Sequence, residues 1–308
     1  MIAISPREHR LGIAAMMCCA LLWSTAGIVT RHASVTNGWE VTFWRSLFCV
    51  IFVAAVMLIR DRGGLLSRIA AMGWPGLVSS LCWAAMFTCF MLALTRTTVA
   101  NTLVVMAVTP FFNAIGGALF LRERVPPRTW LAMLAAAVGV AVMFAHAIDT
   151  GSAAGALIAL GVPIASTVNV ITLKRAAGSR ASNVSLVPSL IIGGSISAAI
   201  AWSAAPPLGA TAGDLALFGL LGVFQLGCPC MLYATFVVKR LSAAEIGLLG
   251  LLEILCGPLW VWLSVGERPG TMTLAGGAIV LAALVVNEAA GLIGEKRREK
   301  RAAESRPA

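Results

Sequence analysis

VANTLVVMAVTPFFNAIGGALFLRER, residues 99–124, and EIGLLGLLEILCGPLWVWLSVGER, residues 245–268, each close a long apolar run on a Glu-Arg pair. Glu123-Arg124 and Glu267-Arg268 stand 144 positions apart, almost half of the 308-residue chain. The hydrophobic segments around the two pairs follow one schedule, which reads as a five-segment unit written twice. An odd number of crossings turns the second unit upside down in a membrane, the arrangement from which many carriers build a central site.

Composition points the same way. Hydrophobic residues make up 59% of the chain and charged ones only 12%, with a mean hydropathy of +0.91, far from the balance of a soluble domain. The apolar runs approach the roughly 20 residues that span hydrocarbon as helix. The first unit reads as Leu11–Thr30, Val41–Ile59, Trp74–Leu94, Val99–Leu121 and Trp130–Ala147. The second reads as Gly155–Leu173, Leu186–Ala204, Leu215–Val238, Glu245–Val265 and Leu274–Ala290. None alternates as barrel strands would. The expected fold is an all-α integral membrane protein of ten transmembrane helices in two five-helix inverted repeats. The first unit is 1–148, the second 149–294, and 295–308 a basic cytoplasmic tail that meets anionic headgroups. The first span is expected to be retained, being too long for a signal-peptide core.

Charge sets the orientation. With the N terminus in the cytoplasm, 19 of the 23 Lys and Arg fall inside, leaving Arg31, Arg45, Arg96 and Arg268 outside. This asymmetry predicts a multi-pass protein with both termini cytoplasmic. Matching loops also carry opposite charge. The loop after the second segment holds Arg60, Arg62 and Arg68, whereas its counterpart after the seventh has only Asp214. Arg96 stands alone after the third, against Lys239 and Arg240 after the eighth. A parallel duplication would carry the same sign in both. Arg-rich, Ala-rich composition suits a bacterial cytoplasmic membrane.

These residues resemble the drug/metabolite transporter superfamily, in particular proteins of two EamA-type units. The resemblance covers nearly the whole chain. It is carried by Leu22-Trp23-Ser24, Arg45-Ser46-Leu47, Thr109-Pro110, Leu121-Arg122-Glu123, Leu252-Glu253 and Val265-Gly266-Glu267. Members usually follow the acid of the ninth span with proline. Here Ile254 follows, and proline comes only at Pro258. The resemblance implies ten helices, a cavity between the units, and alternating access to a small metabolite such as an amino acid or drug, often outward.

Glu253 lies mid-span, where an ionised carboxylate is costly, so it is expected to face protein or water and is a candidate proton carrier. A structural acid bonded to a neighbouring helix is the alternative. Thr109 is its counterpart at the same offset, and Asn113 lies one turn on along the same face. Asn169 and Gln225 are deep polar groups that need partners in hydrocarbon, as interhelical bonds or substrate contacts. Trp23, Trp83, Tyr233 and Trp260 offer aromatic surface for a cavity or for packing. Arg45 suits an anion or helix-cap contact, and a snorkelling arginine accounts for it equally well. Glu123 and Glu267 read as structural partners for loop backbone or nearby arginines. Cys228-Pro229-Cys230 reads as a kink rather than a metal site, and Asn183-Val184-Ser185 as an unmodified sequon in a cytoplasmic loop. No cofactor or metal is expected. The partners are a small-molecule substrate, the lipid bilayer and protons, with no nucleic acid. An intramembrane enzyme and an accessory membrane subunit are the alternatives to a carrier. The chain has no Gly-x-Ser-x-Gly or His-Glu-x-x-His motif for the former, and no Walker A sequence for ATP-driven transport.

Overall fold

The computed structural model describes residues 5–35, 37–61, 64–96, 99–145, 153–178, 185–206, 209–266 and 270–304. Glu267, Arg268, His146 and Asn183 lie outside them. Regular structure among the described residues is entirely helical, as an apolar chain in lipid requires, because a helix satisfies its own backbone polar groups. In chain order, α1 joins Pro6–Trp23 to Ala26–His32, α2 is Gly38–Asp61 and α3 is Gly73–Arg96. Helix α4 joins Val99–Met106 to Thr109–Leu121, α5 is Pro127–Met143, α6 is Ala153–Gly178 and α7 is Pro188–Ala204. Helix α8 joins Ala212–Leu220, a π-helical Leu221–Gly227 and Cys228–Thr235; α9 joins Ala243–Gly250 to Leu252–Val265; α10 is Thr271–Glu304. Eight of these are long and apolar enough to cross a membrane, while α5 and α7 are apolar but shorter. At 17 residues each, α5 and α7 sit at the lower end of the spanning range.

Local sequence explains where the helices begin and end. Ser5 caps α1 by accepting the Glu8 N–H, with Pro6 in the first turn. Thr211 with Asp214 and Ser242 with Glu245 form reciprocal capping boxes at the starts of α8 and α9. Helix α4 ends on Arg122 at φ 56° and α9 on Gly266 at φ 74°, left-handed residues 144 positions apart. The tail expected at 295–308 is not a separate element: α10 runs unbroken to Glu304, since Ala, Glu, Lys and Arg are all strong helix formers.

The helices divide into pairs. Helix α2 packs on α7 and α8, α3 on α6 and α7, α4 on α6 and α9, α5 on α10, and α1 on α8 and α9. Small residues permit the closest approaches. A Cβ on Gly276 would lie 2.3 Å from the Gly139 carbonyl oxygen, and one on Gly193 would lie 2.6 Å from the Ser80 carbonyl. Buried hydroxyls and amides then tie the pairs together: Ser79 bonds Asn169 and Ser189, Ser197 bonds Ser46 and Thr88, and Thr129 donates to Asn287. Such bonds replace the missing water and give helices already in lipid a reason to associate.

One face of the bundle gathers the starts of α1, α5 and α9 and the ends of α4, α6 and α8. There Arg240 bonds Glu8 at 3.2 Å, His9 meets Glu245 at 3.0 Å, and Lys174 pairs with Glu123 at 2.9 Å. On the opposite face, Asp214 accepts from the N–H and hydroxyl of Ser34, and Glu40 accepts from the N–H groups of Gly209 and Ala210.

Candidate functional site

Two interrupted helices meet at the centre. Helix α4 breaks at Ala107-Val108, where Pro110 begins a new segment and withholds an N–H from the turn before it. Helix α9 breaks at Leu251, and Glu253 falls in the first turn of its second segment. A carboxylate is favoured there by the unsatisfied N–H groups of a helix start. The two helices touch where Gly247 faces Pro110 and Asn113: a Cβ on Gly247 would lie 2.7 Å from the Pro110 Cα. The single methylene-free position lets the broken stretches lie against each other.

Around this crossing is a cavity of about 150 Å³, walled by α1, α2, α3, α4, α6, α8 and α9. Helices α5, α7 and α10 contribute none of its lining and serve as outer support. Nine of the ten residues singled out from the sequence line it: Trp23, Arg45, Trp83, Thr109, Asn113, Asn169, Gln225, Tyr233 and Glu253. The tenth, Trp260, stands off the cavity, its Nε1–H donating to Ser24 Oγ at 2.7 Å. It braces α9 against the break in α1 rather than facing a solute.

The polar lining is only partly used by the protein. Asn113 accepts from Thr167 at 2.7 Å and Asn169 from Ser79 at 2.7 Å, yet Nδ2 of each lacks a partner. Gln225 reaches the Trp23 carbonyl at 3.4 Å through Nε2, leaving Oε1 unbonded. Arg45 does not snorkel. It is 2% exposed, one Nη donates to the Phe87 carbonyl at 3.4 Å, and its Nε is unpartnered. The Trp83 Nε1 is likewise buried without an acceptor. Buried polar groups are rarely left so, and five of them share one chamber.

Gln225 owes its position to a local irregularity. Pro229 has no N–H to return to the Gln225 carbonyl, and the preceding turn widens into the π-helix Leu221–Gly227, with the Cys228 N–H bonding Val223. The kink expected at Pro229 is therefore a widened turn just before it. Trp23, Tyr233, Trp83 and Phe87 form a continuous aromatic wall, with successive ring centroids 5.8, 6.1 and 5.8 Å apart. Met16, Met86, Phe90 and Met106 add to the apolar lining. Their side chains look no different in sequence from lipid-facing ones.

Below the cavity, the capped start of α9 is closed off by Glu123, which accepts the Ala243 N–H at 2.7 Å as well as pairing with Lys174. Lys174 also donates to the carbonyls of Val238 and Leu241. Glu123 thus takes the structural role expected of it, with loop backbone and a lysine rather than an arginine as its partners.

Known proteins share this architecture. A crystal structure of a protein 18% identical superposes with a TM-score of 0.77, covering 90% of this chain and 97% of that one. The pseudopaline exporter CntI of Pseudomonas aeruginosa (strain UCBPP-PA14) is 22% identical over 278 residues, 89% of this chain and 94% of its own length. The riboflavin transporter of Rhizobium johnstonii is 25% identical over 307 residues, 98% of this chain and 97% of its own. The profile of the EamA-like transporter family matches twice, at residues 10–145 and 153–288. The chain is thus a membrane protein of the EamA-like transporter family, a transporter rather than an enzyme.

Proposed function

We propose that this chain is a ten-span carrier that exports a small metabolite from the cytoplasm by alternating access, coupled to protons through Glu253. The observation that carries this reading is the cavity at the crossing of the broken helices α4 and α9, into which Arg45, Trp83, Asn113, Asn169 and Gln225 bring buried polar atoms without partners. Discontinuous helices around a central site are how carriers expose polar backbone to a solute while keeping it from lipid.

Two inverted units, 1–148 and 149–294, fit the packing. Exchanging α1 with α6, α2 with α7, α3 with α8, α4 with α9 and α5 with α10 turns the pair α3–α6 into α8–α1, α2–α8 into α7–α3, and α4–α6 into α9–α1. All of these pairs are in contact. The pairs α2–α7, α4–α9 and α5–α10 map onto themselves. The breaks in α4 and α9 and the left-handed ends at Arg122 and Gly266 recur at the same offset of 144. Helix α1 leaves the face at which α6 arrives, as Glu8 and Lys174 both lie there. The excess of Lys and Arg on that face supports its being cytoplasmic. The similarity to CntI, an exporter, favours outward movement.

Counterflow into liposomes loaded with a mixed pool of amino acids, nucleotides and sugars tests the carrier reading. Saturable exchange of an unaltered solute is expected; no exchange of any solute would sink it. Reporter fusions after Arg62, Asp149, Arg175 and Asp214 should read inside, outside, inside and outside, and two reversals would break the inverted arrangement.

A further inference from the structure

We infer that the cavity recognises an amino-carboxylate zwitterion bearing a flat apolar group, its carboxylate held by Arg45 and Trp83 and its ammonium by Glu253. This deepens, and rests on, the carrier reading above. A guanidinium offers five N–H donors, and Arg45 spends one on a 3.4 Å contact with the Phe87 carbonyl. Trp83 is one helical turn before Phe87, so it shares that face of α3. Its Nε1–H and the Arg45 Nε–H are both buried and unbonded on the wall where α2 meets α3. Trp83 is 4% and Arg45 2% exposed. Two unbonded donors in one cavity lining, one of them on a cation, complement a carboxylate.

Glu253 supplies the opposite pole from α9. Arg45 and Glu253 both line the cavity, yet none of the ion pairs formed within 4 Å among the described residues joins them. An internal salt bridge would have closed that distance, since a charge buried without its partner is expensive. Separated poles in one chamber instead select a solute that carries both. A plain anion would be left facing Glu253, and a plain cation would leave Arg45 uncompensated, so each is rejected by desolvation and repulsion. Between the poles, the rings of Trp23, Tyr233, Trp83 and Phe87 give a flat apolar group a surface to lie on.

Equilibrium binding to the full chain in nanodiscs tests this with three matched probes: L-phenylalanine, 3-phenylpropionate, which lacks the amine, and phenethylamine, which lacks the carboxylate. L-Phenylalanine should bind about tenfold or more tightly than either half, the loss expected for one charge-assisted contact. Arg45→Gln should weaken L-phenylalanine and 3-phenylpropionate while sparing phenethylamine. Glu253→Gln should weaken L-phenylalanine and phenethylamine but tighten 3-phenylpropionate, which no longer faces a like charge. Trp83→Phe keeps an aromatic ring while deleting the N–H, so it should reproduce the Arg45 pattern more mildly should Arg45→Gln fail to fold. Equal binding of the three probes, binding of none, or uniform loss across them in the substituted chains would overturn the assignment. The measurement needs no flux. A chain that binds the zwitterion yet shows no counterflow loses the carrier reading alone, and one that exchanges another solute while ignoring the probes loses only this inference.

Discussion

Glu123 and Lys174 form a 2.9 Å ion pair at the end of α4 and α6, with side chains only 11% and 15% exposed. The same carboxylate holds the Ala243 N–H, and the same ammonium holds carbonyls of the loop that leads into α9. One pair of side chains thereby fixes three helix ends beneath the cavity. Lys174→Met leaves Glu123 half-satisfied and two carbonyls without their donor. It should lower stability by about 2–3 kcal/mol, in the range for hydrogen bonds to charged groups. Glu123→Gln keeps a carbonyl for Ala243 and should cost about 1–2 kcal/mol. Because the residues share one network, the double substitution should cost less than the sum. Denaturant unfolding of the four chains in detergent checks this, and strict additivity would show the pair to be incidental.

Arg122 and Gly266 end α4 and α9 in the same left-handed conformation, at φ 56° and φ 74°. Glycine adopts it freely, whereas a Cβ there crowds the following carbonyl at a cost of about 1 kcal/mol. The first unit thus tolerates strain that the second avoids. Arg122→Gly should raise the thermal midpoint, worth about 0.5–1 kcal/mol, and Gly266→Ala should lower it by at least as much. Opposite signs at two matching positions make the comparison independent of general effects of substitution near a loop.

The polar half of the candidate site was legible because hydrocarbon makes polar residues conspicuous. Arg45, Asn113, Asn169, Gln225 and Glu253 stand out in spans that hold little else of the kind, and the fold turns all five to one chamber. The apolar half was not: Met16, Met86 and Phe90 face the cavity, but Leu81 and Phe112 face outward, and nothing local separates the two sets. Trp260 lies off the cavity lining, since an indole finds a hydroxyl as readily behind a wall as in front of it. The break in α4 is written in Pro110. That in α9 is not, because Pro258 sits within Leu252–Val265 without ending it and no proline stands beside Leu251. The reach of α10 to Glu304 was hidden by charge, which marks where hydrocarbon ends but does not stop a helix.

Glycines on close crossings and glycines in open space should respond oppositely to one methyl group. At Gly276 the added carbon would lie 2.3 Å from the Gly139 carbonyl and 2.5 Å from the Met143 nitrogen, both backbone atoms. Helices α5 and α10 would have to separate, so Gly276→Ala should cost about 1–3 kcal/mol, the usual penalty of overpacking. At Gly257, within α9, nothing lies within 4 Å of the same carbon. Gly257→Ala should stabilise by about 0.5–1 kcal/mol through lower backbone entropy in the unfolded chain. Thermal melts of both chains read the contrast, and a tolerated Gly276→Ala would mean that the α5–α10 crossing is looser than described.

Glu253 is half-buried on the cavity wall, and the proposed proton coupling runs through its carboxyl. Glutamine preserves its size and hydrogen-bonding oxygen while removing the ionisable proton. In proteoliposomes, Glu253→Gln should therefore leave flux indifferent to an imposed pH gradient: the ratio of flux with the gradient to flux without it should fall to about one. Weaker binding of the solute's ammonium lowers both fluxes together and leaves this ratio untouched, which separates coupling from recognition at the same carboxyl. A Glu253→Gln chain that still responds to the gradient as the parent does would place the proton on another group.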